Sequence, residues 1–216
     1  MFTDVSPELF LMAYRRGIFP MAEDADEAHY DFYAPNMRAL LPIKDLHISK
    51  SLMKAVKKQN YEIKIDTAFE QVINACGERN KGRETTWINT PIKETFIQLH
   101  AAGHAHSIEF WQDNTLQGGL YGLAIGKVFC GESMFSRTTN ASKITLVHLC
   151  ARLHAGGFEL LDSQFSNPHL MQFGLYEIPQ EKYEMMIQQK MDERSDFLLE
   201  GKTTEEILES YINKIN

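Results

Sequence analysis

Hydrophobic positions along this chain follow two periods, 3.6 and 2, and their succession predicts the order of elements. Residues 7–17 carry a helical pattern, with Ser6 as N-cap and Pro7 at the first helical position. Gly17 stops this helix, and Ile18-Phe19-Pro20 leaves in an extended form. The acidic stretch 22–31 reads as a surface loop, and Tyr33-Ala34-Pro35 to Leu40-Leu41-Pro42 as a turn and a short strand. Leu52, Ala55 and Val56 share one face of an amphipathic helix over 49–59, and Tyr61 to Asp66 alternates like a strand. Phe69, Val72, Ile73 and Cys76 return to helical spacing and end at Gly77. A polar loop over 78–86 is closed by Trp87-Ile88, and Pro91 opens a helix whose Ile92, Phe96 and Leu99 share a face.

From His106 the period changes. Residues 107–112, 116–125 and 128–135 read as three antiparallel strands, turning at Asp113-Asn114 and Gly126-Lys127. Asn140 or Ser142 starts a helix that reaches Ala155 and stops at Gly156-Gly157. A strand over 158–162, a short helix over 168–173, a strand over 176–178 and a helix from Pro179 to about Met191 follow. In the tail only Ile207, Leu208 and Tyr211 form a weak amphipathic face. The expected fold class is α+β: a small N-terminal α/β domain (1–85), a larger mixed-sheet domain (86–192) and a C-terminal helical tail (193–216).

Composition narrows the class. The chain has 216 residues, 44% of them hydrophobic and 24% charged, as in an ordinary globular protein. No apolar run approaches a membrane span, and the first residues lack the pattern of a signal peptide, so no membrane partner is expected. Cys76, Cys130 and Cys150 are odd in number with no CxxC pair, which reads as reduced thiols and a cytoplasmic protein. The net charge of −7 does not suggest a nucleic-acid binder. Yet Lys50, Lys54, Lys57 and Lys58 crowd one helix, and Arg79, Lys81 and Arg83 follow, so a local basic patch and a merely solvated helix face are both open. His100, His104 and His106 lack an HExxH pattern or nearby acids at ligand spacing, and no P-loop or GxGxxG occurs, so no metal, nucleotide or other cofactor is expected.

The residues richest in chemistry lie in Gly118-Gly119-Leu120-Tyr121-Gly122 and in Phe129-Cys130-Gly131-Glu132-Ser133-Met134, followed by Leu160-Leu161-Asp162-Ser163-Gln164. Glycines weaken a strand unless something must approach closely, and a carboxylate in an apolar strand needs a partner or a task. Glu132, Asp162 and Gln164 suit acyl transfer to an amine, in which the amine is held, oriented and relieved of a proton. Equally open is a structural reading, with Asp162 capping its loop and Glu132 paired to Arg137 or Lys143. Leu120, Phe129, Met134, Leu146, Leu149 and Leu161 are candidates to line an apolar pocket, or simply the core. Trp87 and Tyr33, beside loops, either stack on a base or anchor those loops.

Tyr14-Arg15-Arg16-Gly17-Ile18-Phe19-Pro20, Thr86-Trp87-Ile88, Gly103-His104-Ala105-His106-Ser107-Ile108-Glu109, Phe129 to Arg137, Asn140-Ala141-Ser142-Lys143 and Asp162-Ser163-Gln164 together resemble leucyl/phenylalanyl-tRNA–protein transferases over residues 7–190. The resemblance implies an acetyltransferase-like (GNAT-like) larger domain. It also implies transfer of Leu or Phe, sometimes Met, from aminoacyl-tRNA to protein N-termini that begin with Arg or Lys, in the N-end rule of protein degradation. The ester is already activated, so neither ATP nor metal is required. By motif, Asp162 and Gln164 stand at the catalytic pair with Glu132 organising their network. Leu120, Phe129, Met134, Leu146, Leu149 and Leu161 form the amino-acid pocket. Trp87 meets the terminal adenosine, and Lys54, Lys57 and Lys58 meet the acceptor stem of the tRNA. Tyr33 stands in Phe32-Tyr33-Ala34-Pro35, where the family usually has Trp-Trp-Ser-Pro, so the resemblance implies a tyrosine in place of a tryptophan for the stacking contact to adenosine. A binder of tRNA or protein N-termini on the same scaffold is the other class of reading, and a monomer is expected.

Overall fold

The computed structural model describes residues 1–3, 5–58, 60–79 and 84–215; Lys81 and Arg83 of the expected basic run, and the centre of the 78–86 loop, lie outside the described residues. Helix α1 (Pro7–Arg15) starts as its sequence dictates: the Ser6 hydroxyl accepts the Leu9 N–H at 3.3 Å, and Pro7 occupies the first turn, where an N–H would have no partner. It buries Phe10, Ala13 and Tyr14. Strands β1 (Phe19–Met21) and β2 (Asp31–Tyr33) pair antiparallel, so the acidic segment between them is the connection of a small ribbon.

The remaining strands form one seven-stranded mixed sheet. These are β3 (Met37–Leu41), β4 (Glu62–Ile65), β5 (Ala105–Gln112), β6 (Thr115–Ile125), β7 (Val128–Ser136), β8 (Leu160–Gln164) and β9 (Tyr176–Pro179). Their spatial order is β4-β5-β6-β7-β8-β3-β9, so the sheet runs across residue 85 and includes two strands that precede it. The two-residue turn at Asp113-Asn114 has φ of 50° and 57°, the left-handed pair that a tight hairpin needs and that Asp and Asn tolerate. Every pairing is antiparallel except β7 with β8, and that parallel pair needs a crossover, supplied by α5 (Ala141–Ala155).

Side chains alternate between the two faces. One face holds Leu40, Tyr121, Cys130 and Leu160, packed with α1, α3 (Phe69–Gly77), α4 (Thr90–Ala101) and α7 (Gln180–Lys190). The other holds Leu41, Leu120, Phe129 and Leu161, packed with α2 (Lys50–Lys58), α5 and α8 (Thr204–Ile215). Helix α5 lies between the sheet and other helices, which is why it is buried nearly all round and not amphipathic. Its Asn140 does not cap by side chain; it sits in the left-handed region at φ 67°. A short helix, α6 (Pro168–Met171), follows β8. Among the described residues no helix is long and apolar enough to cross a membrane.

The tail is a built part of the core. Phe197, Leu199, Ile207, Leu208, Tyr211 and Ile212 are buried in the α5 layer. Buried Arg152 donates to the carbonyls of Phe197 and Leu198 at 2.9 and 2.8 Å, and the Tyr211 hydroxyl donates to the Ile43 carbonyl at 2.6 Å. Where the tail crosses the end of α5, a Cβ on Gly156 would stand 2.0 Å from the Asp196 carbonyl oxygen. Gly156→Ala is therefore expected to destabilise the protein by about 1–3 kcal/mol, the usual range for overpacking, seen as a lower Tm. An unchanged melting curve would mean that the tail is not seated against α5.

Candidate active site

Two β-bulges shape the site. On β7, Gly131 pairs with Gly122 and Ser133 with Tyr121, which leaves Glu132 as the extra, unpaired residue. On β8, Asp162 pairs with Leu40 and Gln164 with Ala39, which leaves Ser163 as the extra residue. A bulge bends its strand and re-aims the side chains beyond it. The β7–β8 pairing covers only Val128↔Leu160, Phe129↔Leu161 and Cys130↔Asp162. Past that point β7 continues with β6 and β8 with β3, and the two strands part. Across the resulting gap Gln164 Nε2 donates to Glu132 Oε1 at 3.2 Å.

Asp162 and Arg38 are both fully buried. Arg38 Nε donates to Asp162 Oδ1 at 2.8 Å and Nη2 to Oδ2 at 2.5 Å, the two-pronged geometry that suits guanidinium and carboxylate. The Gln164 N–H donates to Oδ1 at 2.9 Å and the Tyr183 hydroxyl to Oδ2 at 2.8 Å. These four donors fill the acceptor capacity of a carboxylate. Arg38 is equally committed, with its Nη1 on the Gly17 carbonyl at 2.9 Å and its guanidinium between the rings of Phe19 (4.7 Å) and Tyr183 (4.4 Å). Burial pulls the Arg38 pKa down, but the charge and hydrogen bonds of Asp162 more than reverse that and hold it raised. Asp162 thus acts on Gln164 through its backbone, fixing it at φ 59°, a left-handed conformation uncommon for a side chain of this size.

Glu132 pairs with neither Arg137 nor Lys143, which are engaged by Glu78 (2.9 Å) and Gln172 (2.8 Å). Burial pushes its carboxyl up from the ordinary 4.5 to about 8; the Tyr14 hydroxyl opposes that rise, the Asp162 charge adds to it and Arg38 offsets it. The fully buried Tyr14 hydroxyl is directed at Glu132 and favours its carboxylate form, while the Glu132 charge in turn helps burial to raise the Tyr14 pKa. Glu132 and Gln164 meet in the wall of a cavity of about 750 Å³, whose other polar lining includes Ser133, Ser142, Asn167 and His169. Leu120, Met134, Leu146, Leu149 and Leu161 line it, five of the six apolar residues expected there. Phe129 does not. It lies on the same face at the paired end of the strands, where its ring stacks on Phe197 at 5.4 Å.

A second cleft of about 470 Å³ brings Tyr33 and Trp87 together with Met21, Thr86 and Phe165. Phe165 directly follows Gln164 and meets Phe19 edge-on at 5.3 Å, so the cleft and the Asp162 network share a wall. Lys54, Lys57 and Lys58 are exposed on α2, with Lys50 beside them. Arg79 turns away to bind Asp24 and Asp26. His100 and His106 stack on Phe69 and Phe197, both at 4.2 Å, and His106 Nδ1 lies 2.7 Å from Asp66.

The family model described as leucyl/phenylalanyl-tRNA protein transferase matches residues 40–188, and the model of that family's N-terminal domain matches residues 3–35. This chain belongs to the leucyl/phenylalanyl-tRNA–protein transferase family. A protein of that name from Nitrobacter winogradskyi is 47% identical over 195 residues, spanning 90% of this chain and 87% of its own length. Another from Hyphomonas neptunium is 48% identical over 191 residues, spanning 88% of this chain and 74% of its own.

Glu132, Asp162 and Gln164 all fall inside the matched transferase segment, whereas α8 lies beyond it. Four residues that the structure gathers around this candidate site escape a reading of sequence pattern: Arg38, Tyr14, Tyr183 and Phe165. Only Arg38 leaves a usable signal, as a cation in the otherwise apolar strand Met37–Leu41, which requires a buried acid opposite.

The raised Glu132 pKa has a stability consequence. Between about 4.5 and about 8 the folded protein keeps a proton that the unfolded chain has lost, so this group's contribution is full at low pH and falls as pH rises through that window. Glu132→Gln is expected to flatten that fall, so that the variant gains on wild type from pH 5 to pH 8 in denaturant titrations. Parallel pH profiles would show that Glu132 titrates normally.

Proposed function

We propose that this protein transfers Leu or Phe from aminoacyl-tRNA to the N-terminal amine of proteins that begin with Arg or Lys, the reaction that feeds the N-end rule of protein degradation in the cytoplasm. Family membership supports the reaction class. The observation that carries the reading in this chain is the leucine-lined cavity in whose wall Glu132 and Gln164 meet. An aminoacyl group laid along Leu120, Leu146, Leu149 and Leu161 would present its ester at those two polar side chains. The Gln164 Nε2 is engaged by Glu132, so its carbonyl oxygen is left to accept from an incoming ammonium or amine. Orientation of that kind converts an encounter of two substrates into a step within one complex.

The remaining parts fit the same substrate. The rings of Tyr33, Trp87 and Phe165 line a cleft that suits the terminal adenosine, since stacking on aromatic rings is how single-stranded bases are held without a pairing partner. Tyr33 thereby takes the place that a tryptophan usually holds. The exposed lysines of α2 provide a basic strip on an otherwise acidic molecule, suited to the phosphates of an acceptor stem. The acidic balance elsewhere favours an acceptor terminus that carries Arg or Lys.

Incubation with Leu-tRNA or Phe-tRNA, labelled in the amino acid, should label a protein with N-terminal Arg and leave its N-acetylated form unlabelled. Label on neither would refute the proposal. Lys57→Glu with Lys58→Glu should weaken tRNA binding in filter or anisotropy titrations and reduce its dependence on salt, because fewer counterions are released. An unchanged affinity would remove α2 from the tRNA path.

A further inference from the structure

Acyl transfer from an ester to a bound ammonium requires a group that removes the proton, and three side chains meet where the ester would lie. Asp162 is fully buried, and its four acceptor positions are taken by Arg38 Nε, Arg38 Nη2, the Gln164 N–H and the Tyr183 hydroxyl. It has nothing left to offer an amine. Gln164 can accept a hydrogen bond through its carbonyl oxygen, but an amide is too weak a base to keep the proton. Glu132 alone combines basicity with free capacity. Its Oε1 accepts from Gln164 at 3.2 Å and the Tyr14 hydroxyl faces the same carboxylate, which with its four acceptor positions still has room for a bound amine. Because it is the extra residue of the β7 bulge, it lies at the edge of the cavity where β7 and β8 part.

We propose that Glu132 is the proton acceptor and donor of the transfer reaction, that Gln164 orients the amine, and that Asp162 is a positioning residue acting through the Gln164 backbone. The inference rests on the transferase reading above. The Glu132 carboxylate takes one proton from the bound ammonium. The neutral amine then attacks the ester carbonyl carbon and the C–N bond forms. As the bond from that carbon to the ribose oxygen breaks, protonated Glu132 gives its proton to the departing oxygen. The extra proton on the new amide nitrogen returns to the carboxylate and leaves to water, so one proton is released for each ammonium consumed.

The surroundings suit that task. Tyr14 from α1, Arg38 from β3, Cys130 on β7 and Asp162 from β8 are the titratable or charged groups that act on the carboxyl, with Tyr121 from β6 behind Tyr14 and Tyr183 from α7 behind Asp162. Burial among them lifts it to about 8. An N-terminal amine ordinarily ionises at about 7.7–8.0, so the first proton transfer is close to balanced in energy.

The test uses the full-length protein with Leu-tRNA and a peptide beginning with Arg, both saturating, under single-turnover conditions. Glu132→Gln keeps the size and the contact to Gln164 while removing the base, so the transfer rate should fall by about 10²–10⁴-fold, the usual range for general acid–base catalysis. Binding of tRNA and the melting temperature at pH 6 should stay near wild type. In Glu132→Ala, added formate or acetate should restore part of the rate, more so for the more basic carboxylate. A purely structural role would not give that signature. A Glu132→Gln rate close to wild type would overturn the proposal, and so would a loss in Glu132→Ala that no small carboxylate relieves. If wild type itself transfers nothing, the transferase reading fails first and this inference falls with it.

Discussion

The buried pair of Arg38 and Asp162 is the constraint on which the rest of the site depends. It joins four separate stretches of chain: β3 through Arg38, β8 through Asp162, α7 through Tyr183, and the turn after α1 through the Gly17 carbonyl. Its net contribution to stability need not be large, because burying two charges offsets much of their attraction. Removing one partner is another matter, costing about 3–5 kcal/mol by leaving a charge buried and unpaired. What the pair provides is specificity of placement. It sets where β3 and β8 register, and through the Gln164 N–H it holds a backbone conformation that costs about 1–3 kcal/mol outside such a frame.

The two bulges turn that frame into a cavity. With unbroken pairing Glu132 and Gln164 would continue the Cys130↔Asp162 register as neighbours on the face that holds Cys130, with no gap between the strands. The bulge at Glu132 reverses the alternation along β7, so that Phe129 and Met134, five residues apart, face the same α5 layer. Cys130 and Phe135 likewise share the other face. Gly122 allows this: a Cβ there would stand 2.3 Å from the Cys130 carbonyl oxygen. The gap between β7 and β8 then opens onto α5, whose Leu146 and Leu149 supply the apolar wall. The Glu132–Gln164 contact therefore comes from the sheet, and the apolar wall of the cavity from sheet and helix together.

Much of this was legible in the residues. Ser6-Pro7, the Asp113-Asn114 turn, the glycines after α5 and the change of period near His106 each mark a local event, and the elements fall where those marks stand. The clustering of Glu132 with Gln164 was legible as a carboxylate inside one apolar strand and an acid and an amide ending another, and five of the six apolar residues expected beside them line the cavity. What was not legible was non-local. Nothing near Met37–Leu41 says that this strand inserts between β8 and β9 far along the chain. The tail looked weakly amphipathic because only its inner face is apolar, and that face becomes informative only against α5. Phe129 was misplaced for the same reason: Phe197, which covers its ring, comes from that tail.

A cavity built this way also limits what selectivity the transfer reaction can have. Apolar walls discriminate against a polar side chain strongly, since a buried group without a hydrogen-bond partner costs several times what a missing contact does. Between two apolar side chains they discriminate weakly, because one methylene is worth only about 1–3 kcal/mol in such a pocket. Met134 weakens the contrast further, since an unbranched thioether repacks around either a branched or a flat ligand. Acceptance of both Leu and Phe is thus the expected behaviour of these walls and needs no second site. The four leucines at 120, 146, 149 and 161 can shift among rotamers around either ligand, so the aromatic part of the lining, Tyr121 and Phe135, is where a stricter preference would have to be built.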